Sequence, residues 1–246
     1  MFNYNLIIEY EGTNFVGWQK QKKGKSIQHE VEKALRKIFK LKINLVGSGR
    51  TDAGVHALGQ SAHFIVKNKI ENYYKVKNSL NYFLNKKKIV ITDIKLKSES
   101  FHARFDAVER VYEYKIINRD APLCLDKNRA WHIKKNLDLV KIKKGLKILK
   151  GIKDFSTFRA SSCQAKSPLR KLLKAEVKKH NNLVTITFSS KAFLQQQVRS
   201  MVGCLKYLAD GRWQIKQFQK VAKSQKRSLC APPAPATGLY LKKVIY

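Results

Sequence analysis

The sequence predicts an α+β protein built as two mixed α/β domains with largely antiparallel sheets. Three observations carry this: strand-like and helix-like periodicities alternate through both halves, a two-residue hairpin signal joins two long strands, and the hydrophobic fraction is 43% in a chain of 246 residues. That length suits two domains or one large one.

From the start of the chain, Phe2, Tyr4, Leu6, Ile8 and Tyr10 alternate and fall on one face of a strand. Ser26 is placed to cap a helix whose inner side is Ile27, Val31, Leu35 and Ile38. A strand-like run, Lys42–Val46, leads into a glycine-rich loop, and a strand over Gln60–Val66 follows. Tyr73, Val76, Leu80 and Phe83 or Leu84 line a second helix, and Ile89–Leu96 reads as a strand. The passage Ser98–Ala107 is the expected junction, giving domains 1–106 and 107–246. The second half repeats the alternation: a strand over Val108–Ile117 and a basic helix over Leu137–Leu149 ended by Gly151. Lys171–Lys179 and Leu183–Phe188 then pair across Asn181-Asn182. A helix over Ala192–Ala209 stops at Asp210-Gly211, and a shorter one covers Gln214–Lys223. The proline-rich Ala231–Ala236 must be a loop, and Leu239–Ile245 closes the chain as a strand. No residue-level repeat is visible, so the similar ordering of the halves only suggests a duplication.

Composition narrows the partner. Lys and Arg number 51 against 17 Asp and Glu, a formal charge of +34. The bases are spread along the chain among 12 Phe, 10 Tyr and 3 Trp, unlike a polybasic disordered arm. A folded, strongly basic protein points first to nucleic acid. No apolar run approaches the ~20 residues a membrane span needs, and the N-terminus lacks the pattern of a signal peptide. Cys124, Cys163, Cys204 and Cys230 show no CxxC pair, and the six histidines show no metal-ligand spacing. The expectation is a cytoplasmic chain without metal or membrane.

Gly47-Ser48-Gly49-Arg50-Thr51-Asp52-Ala53-Gly54-Val55-His56 sets a single carboxylate, Asp52, among residues that let the backbone turn and a ligand come close. Arg50, two residues earlier, could hold that acid ionised or grip a phosphate. Read without context, an Asp among glycines is more often an ordinary turn cap. The strand Val108–Ile117 carries Arg110, Tyr112, Tyr114 and Ile116 on one face, a platform on which an unstacked base could lie.

Gly49–Gln60 resembles the signature of the tRNA pseudouridine synthase A family. Similar segments follow the family's order: Tyr10–Gln19 with Ser26-Ile27-Gln28, Arg110–Tyr114, Asp154–Arg159, Val198–Gly203 and Ala234–Leu241. One departure is Gln195-Gln196-Gln197, where the family often carries histidines. The resemblance implies that the two domains meet at a central basic active-site cleft. It also implies isomerisation of uridine to pseudouridine at positions 38–40 of the tRNA anticodon stem-loop, by a homodimer without cofactor. Asp52 would be the nucleophile, attacking C1′ of the ribose or C6 of the uracil. Tyr112 would stack on the target base, Arg199 would be the nearer ion-pair partner of Asp52, and Arg50 would face the RNA. A non-catalytic basic RNA-binding protein fits the charge and aromatics equally well, but gains nothing from a carboxylate facing phosphates. An acid–base hydrolase would need a second carboxylate; Asp93, Asp106 and Asp154 read instead as turn or ion-pair residues.

Overall fold

β1 (Phe2–Tyr10) buries its apolar face and, at Asn3 and Asn5, part of the other, which alternation alone does not foretell. Tyr4, Leu6, Ile8 and Tyr10 form the apolar side, while Asn3 and Asn5 are equally enclosed opposite them. Those amides bond within the fold: Asn3 Nδ2 donates to the Phe101 carbonyl (2.8 Å) while its buried Oδ1 has no hydrogen-bond partner, and Asn5 Oδ1 accepts from Ser61 Oγ (2.7 Å). The computed structural model describes all 246 residues, grouped as Met1–Val108 with Leu241–Tyr246, and Glu109–Tyr240.

In the first unit α1 (Ile27–Phe39) starts at Ser26, whose Oγ accepts the His29 N–H, and stops at Lys40 in the left-handed region. Ile27, Val31 and Leu35 are buried, and Ile38 is half-buried. Of the run Lys42–Val46 only its end is strand, as β2 (Val46–Gly47). β3 (His56–Val66) begins earlier than Gln60, because its first residues already pair with the end of β1, Ala57 opposite Tyr10. α2 (Tyr73–Leu84) buries Leu80 and Leu84, so Leu84 takes the inward place and Phe83 lies under the Lys37 ammonium. β4 (Ile89–Lys97) pairs with β1 on the side opposite β3, and β2 pairs with β3. All three ladders are antiparallel.

In the second unit β5 (Glu109–Asn118) pairs with the short parallel β6 (Trp131–Ile133). α3 (Leu139–Leu149) is capped by Asp138, which accepts the Lys141 N–H. Gly151 then turns the chain into β7 (Gly151–Asp154). β8 (Leu169–His180) and β9 (Leu183–Ser190) form the expected hairpin, with Asn181 at φ 50° in its turn. β5 pairs with β9, and β7 with β8, both antiparallel.

α4 (Gln197–Ala209) starts later than its apolar spacing suggests. Gln196 sits in the left-handed region at φ 61°, and the Gln197 side chain accepts the Leu194 N–H (2.8 Å), closing a turn where a helix was expected. α5 (Ile215–Lys223) follows, and β10 (Leu239–Ile245) starts in this unit and finishes in the first.

Each unit sets a strand, a helix, an antiparallel strand pair and a second helix in the same order: β1, α1, β2–β3, α2 and β5, α3, β8–β9, α4. In both, the first strand pairs with the later member of the pair. The architecture is α+β and mostly antiparallel, as the sequence leads one to expect. No helix is long and apolar enough to cross a membrane.

Candidate active site

The loop carrying Asp52 is held by the segment after β1. The Trp18 N–H donates to the Thr51 carbonyl (3.1 Å), and the Gly54 N–H reaches the Phe15 carbonyl (3.4 Å). The Gly12 N–H donates to His56 Nδ1 (3.0 Å), which leaves Nε2 to carry that imidazole's proton when neutral. Beneath the loop the buried hydroxyls of Tyr10 and Thr51 share a hydrogen bond of 2.8 Å. On the other flank Gln60 accepts from Ser48 Oγ (2.8 Å) and donates to the Gly49 carbonyl (2.9 Å).

Two glycines make this clasp possible. A Cβ on Gly12 would overlap the Val55 carbonyl, and one on Gly17 would lie 2.5 Å from the Thr51 oxygen and 3.2 Å from the Asp52 carbonyl carbon. Gly17 also sits at φ 109°, a conformation L side chains rarely adopt. The glycines of Tyr10–Gln19 and the carboxylate loop are therefore halves of one construction. Thr51 is buried, Asp52 half-buried and Arg50 exposed. A half-buried carboxylate on a stiff loop can meet a ligand without reorganising its support.

Tyr112 and Arg199 lie in the second unit. Tyr112 sits on β5 opposite Phe188 of β9 and meets the Phe193 ring edge-on, with centroids 5.2 Å apart. Its neighbour on the same face, Arg110, donates through Nη1 to the Lys191 carbonyl. Tyr114 is a packing residue, fully buried, and its hydroxyl donates to the Pro235 carbonyl (2.7 Å). Burial pushes its phenol far above the ordinary tyrosine value, against the opposing pull of the Arg199 charge. Arg199 is half-buried in the first turn of α4. Its Nε donates to the Ala234 carbonyl (2.7 Å), and its own carbonyl accepts the Ala234 N–H (3.0 Å). The proline-rich loop therefore fixes this side chain to its helix, against the alternative of a freely solvated arginine.

The other acids have local duties. Asp93 accepts the Ile94 N–H and pairs with Lys95. Asp106 accepts the His102 N–H, and Asp154 the Ser156 N–H. The sequence pointed to Asp52, Arg50, Tyr112 and Arg199, but not to Tyr10, Thr51, Trp18 and His56, which hold the loop. The signal for these four was present in the paired glycines of Tyr10–Gln19.

The model of a family described as tRNA pseudouridine synthase matches residues 6–106 and again 146–246, so the one family pattern falls in both units. Full-length relatives sharpen this. The chain is 57% identical over 246 residues to tRNA pseudouridine synthase A of Pelagibacter ubique, covering 100% of both. It is 44% identical over 246 residues to the protein of that name from Paramagnetospirillum magneticum, covering 100% of this chain and 96% of the relative. For that of Afipia carboxidovorans the identity is 42% over 249 residues, with 100% of both covered. The chain belongs to the tRNA pseudouridine synthase A family.

Proposed function

We propose that the chain isomerises uridines 38–40 of the tRNA anticodon stem-loop to pseudouridine, with Asp52 as the nucleophile. The single observation carrying the residue assignment is the clasped loop: a lone carboxylate, half-buried, on backbone pinned by Gly12, Gly17 and Trp18. In the reaction the N1–C1′ bond breaks, the uracil turns, and C5 bonds to C1′. The C5 proton leaves to solvent and N1 gains one, so no atom is lost overall and no redox or group-transfer cofactor is consumed. The carboxylate attaches covalently, to C1′ or to C6, and departs when the C-glycoside forms.

The remaining assignments follow the same chemistry. Asp52 must be ionised to attack, and Arg199 supplies the opposing charge. Tyr112 carries the extruded base on its ring, and Arg50 meets the RNA backbone. Extrusion costs a few kcal/mol, offset by phosphate contacts from a chain of net charge +34. The working form in this reading is a cytoplasmic homodimer.

The test is tritium release from tRNA transcripts labelled at uridine C5. Wild-type protein is expected to release label from a transcript with uridine at positions 38–40 and none from one with cytidine at all three. Undiminished release from the cytidine transcript would reject the site assignment, and no release from either would reject the activity.

A further inference from the structure

Two thiols meet between α4 and the segment that follows α5. Cys204 is fully buried in α4, and Cys230 is half-buried just ahead of the proline-rich Ala231–Ala236. Their sulfurs stand 3.4 Å apart, although the residues are 26 positions apart in sequence. A disulfide holds its sulfurs at about 2.05 Å, so a closure of roughly 1.3 Å separates the pair from a covalent bond. No third His, Cys, Asp or Glu joins them, which leaves the pair short of the four ligands of a structural zinc site.

The two sulfurs are unequal. The Cys204 S–H donates to Cys230 and, with the Arg227 guanidinium and the Ser200 hydroxyl, holds the Cys230 thiol below its ordinary value against burial. Arg227 is fixed in place by Nη1, which donates to Ser200 Oγ (2.8 Å). Cys204 keeps its proton, pushed up by the shared hydrogen bond and by burial. A half-exposed sulfur favoured as thiolate, with a second thiol in contact, suits oxidation in which one sulfur attacks and the other resolves. Where thiols are otherwise kept reduced, a bond of this kind is transient and regulatory.

What the pair is attached to gives such a bond a consequence. Cys204 shares α4 with Arg199, and Cys230 leads into the segment holding Ala234. The Ala234 carbonyl accepts Arg199 Nε (2.7 Å), and its N–H donates to the Arg199 carbonyl (3.0 Å). Between these points the segment already lies flush on the helix: a Cβ on Gly203 would come 2.1 Å from the Pro232 carbonyl oxygen. The Cys230 sulfur therefore cannot be drawn in by pressing the segment closer to α4. The segment has to slide along the helix, and Ala234 slides with it.

We propose that Cys204 and Cys230 form a redox modification site: a peroxide closes them into a disulfide that displaces the Ala231–Ala236 segment and, with it, Arg199. The Cys230 thiolate attacks one peroxide oxygen, the O–O bond breaks, and a sulfenic acid and water result. Cys204 sulfur then attacks the Cys230 sulfur, the S–O bond breaks, and the Cys204 proton leaves with the hydroxide as water. The two sulfurs lose two electrons and the peroxide gains them. The effect on turnover rests on the reading of Arg199 as the partner of Asp52.

The experiment treats full-length wild type, Cys230→Ser and Cys204→Ser with hydrogen peroxide. Peptide mass mapping, amide hydrogen exchange, tritium release and tRNA anisotropy are read before and after dithiothreitol. Wild type is expected to gain the Cys204–Cys230 disulfide, Cys230→Ser to gain none, and Cys204→Ser to hold a sulfenic acid at Cys230 that dimedone traps. In oxidised wild type the Ala234 amide should exchange about threefold faster or more. Its kcat should fall about 10-fold, with tRNA affinity within a few-fold, and dithiothreitol should restore both readouts. Cys230→Ser should keep its turnover through the same treatment. Cys204 and Cys230 still reduced after Cys124 has oxidised, or either one paired with another cysteine, overturns the proposal. A disulfide that leaves the Ala234 exchange unchanged, or the turnover of an active preparation, overturns it too. Absence of turnover in reduced wild type would strike the isomerase reading alone, because mapping and exchange still decide the switch.

Discussion

Replacing Gly17 by alanine tests whether the clasp, and not Asp52 alone, makes the loop competent. The new methyl would stand 2.5 Å from the Thr51 carbonyl oxygen, roughly 0.9 Å inside the 3.4 Å at which ordinary contact begins. Its other neighbours, the Asp52 carbonyl carbon at 3.2 Å and the Ala53 nitrogen at 3.3 Å, are also backbone, so no flexible side chain can swing aside. The loop must move by most of an ångström, and it carries Asp52. Misplacing a reacting group by about 1 Å can cost on the order of 100-fold in rate. Holding a non-glycine residue at positive φ adds about 1–2 kcal/mol of destabilisation.

Gly151→Ala separates the two effects. Gly151 sits at φ 96° with nothing within 4 Å of the added Cβ, so it carries the strain without the collision. Tritium release from C5-labelled tRNA, with affinity by anisotropy and melting by calorimetry, reads all three quantities. Both variants are expected to melt a few degrees lower, roughly 2–4 °C per kcal/mol for a chain of this size. Only Gly17→Ala should lose kcat, by about 100-fold, with tRNA affinity within a few-fold of wild type. A folded Gly17→Ala protein turning over within about threefold of wild type would refute the reasoning, as would an equal loss in Gly151→Ala.

Tyr112→Ala is expected to reduce turnover about 10- to 100-fold, and Tyr112→Phe to stay within about threefold, since stacking needs the ring and not the hydroxyl; equal effects would remove the ring from the account. Cys204 and Cys230 lie with sulfurs 3.4 Å apart. Cys230 is held below the ordinary thiol value by the Cys204 S–H it accepts and, despite burial, by the Arg227 charge. Cys204 is pushed up by the same hydrogen bond and by burial. Mass spectrometry after brief iodoacetamide treatment should therefore find Cys230 alkylated ahead of Cys204, together with the exposed Cys124; Cys204 reacting first would contradict this. The affinity for tRNA should fall along a straight log–log line as salt rises, with slope about −0.7 to −0.9 per phosphate neutralised; a flat response would make the positive charge incidental.

Much of the fold was legible because local rules decide it. Ser26 caps the helix it precedes, and Asn181-Asn182 turns the hairpin, both through contacts within a few residues. What stayed hidden depends on distant partners. The alternation of β1 marks one apolar face but cannot reveal that Asn3 and Asn5 opposite it are enclosed, because their partners Phe101 and Ser61 come from elsewhere in the chain. The start of α4 was obscured because Phe193 and Leu194 continue a helical spacing that Gln196, in the left-handed region, interrupts. Nor does the pattern Leu239–Ile245 say that the strand leaves one unit for the other. At the site, the motif drew attention to Asp52, while the Tyr10–Thr51 and Gly12–His56 bonds that position it span 41 and 44 residues. In the sequence they showed only as members of the segments Tyr10–Gln19 and Gly49–Gln60, with glycine at positions 12 and 17, where the structure leaves no room for a methyl group.

The most direct measurement is single-turnover tritium release by Asp52→Asn, alongside its affinity for the same C5-labelled tRNA. The amide keeps the shape and the clasp but cannot attack as a carboxylate. Release is expected to vanish while affinity stays within about threefold of wild type, since binding rests on phosphate contacts made elsewhere. Release at a rate near wild type would contradict the account at its centre.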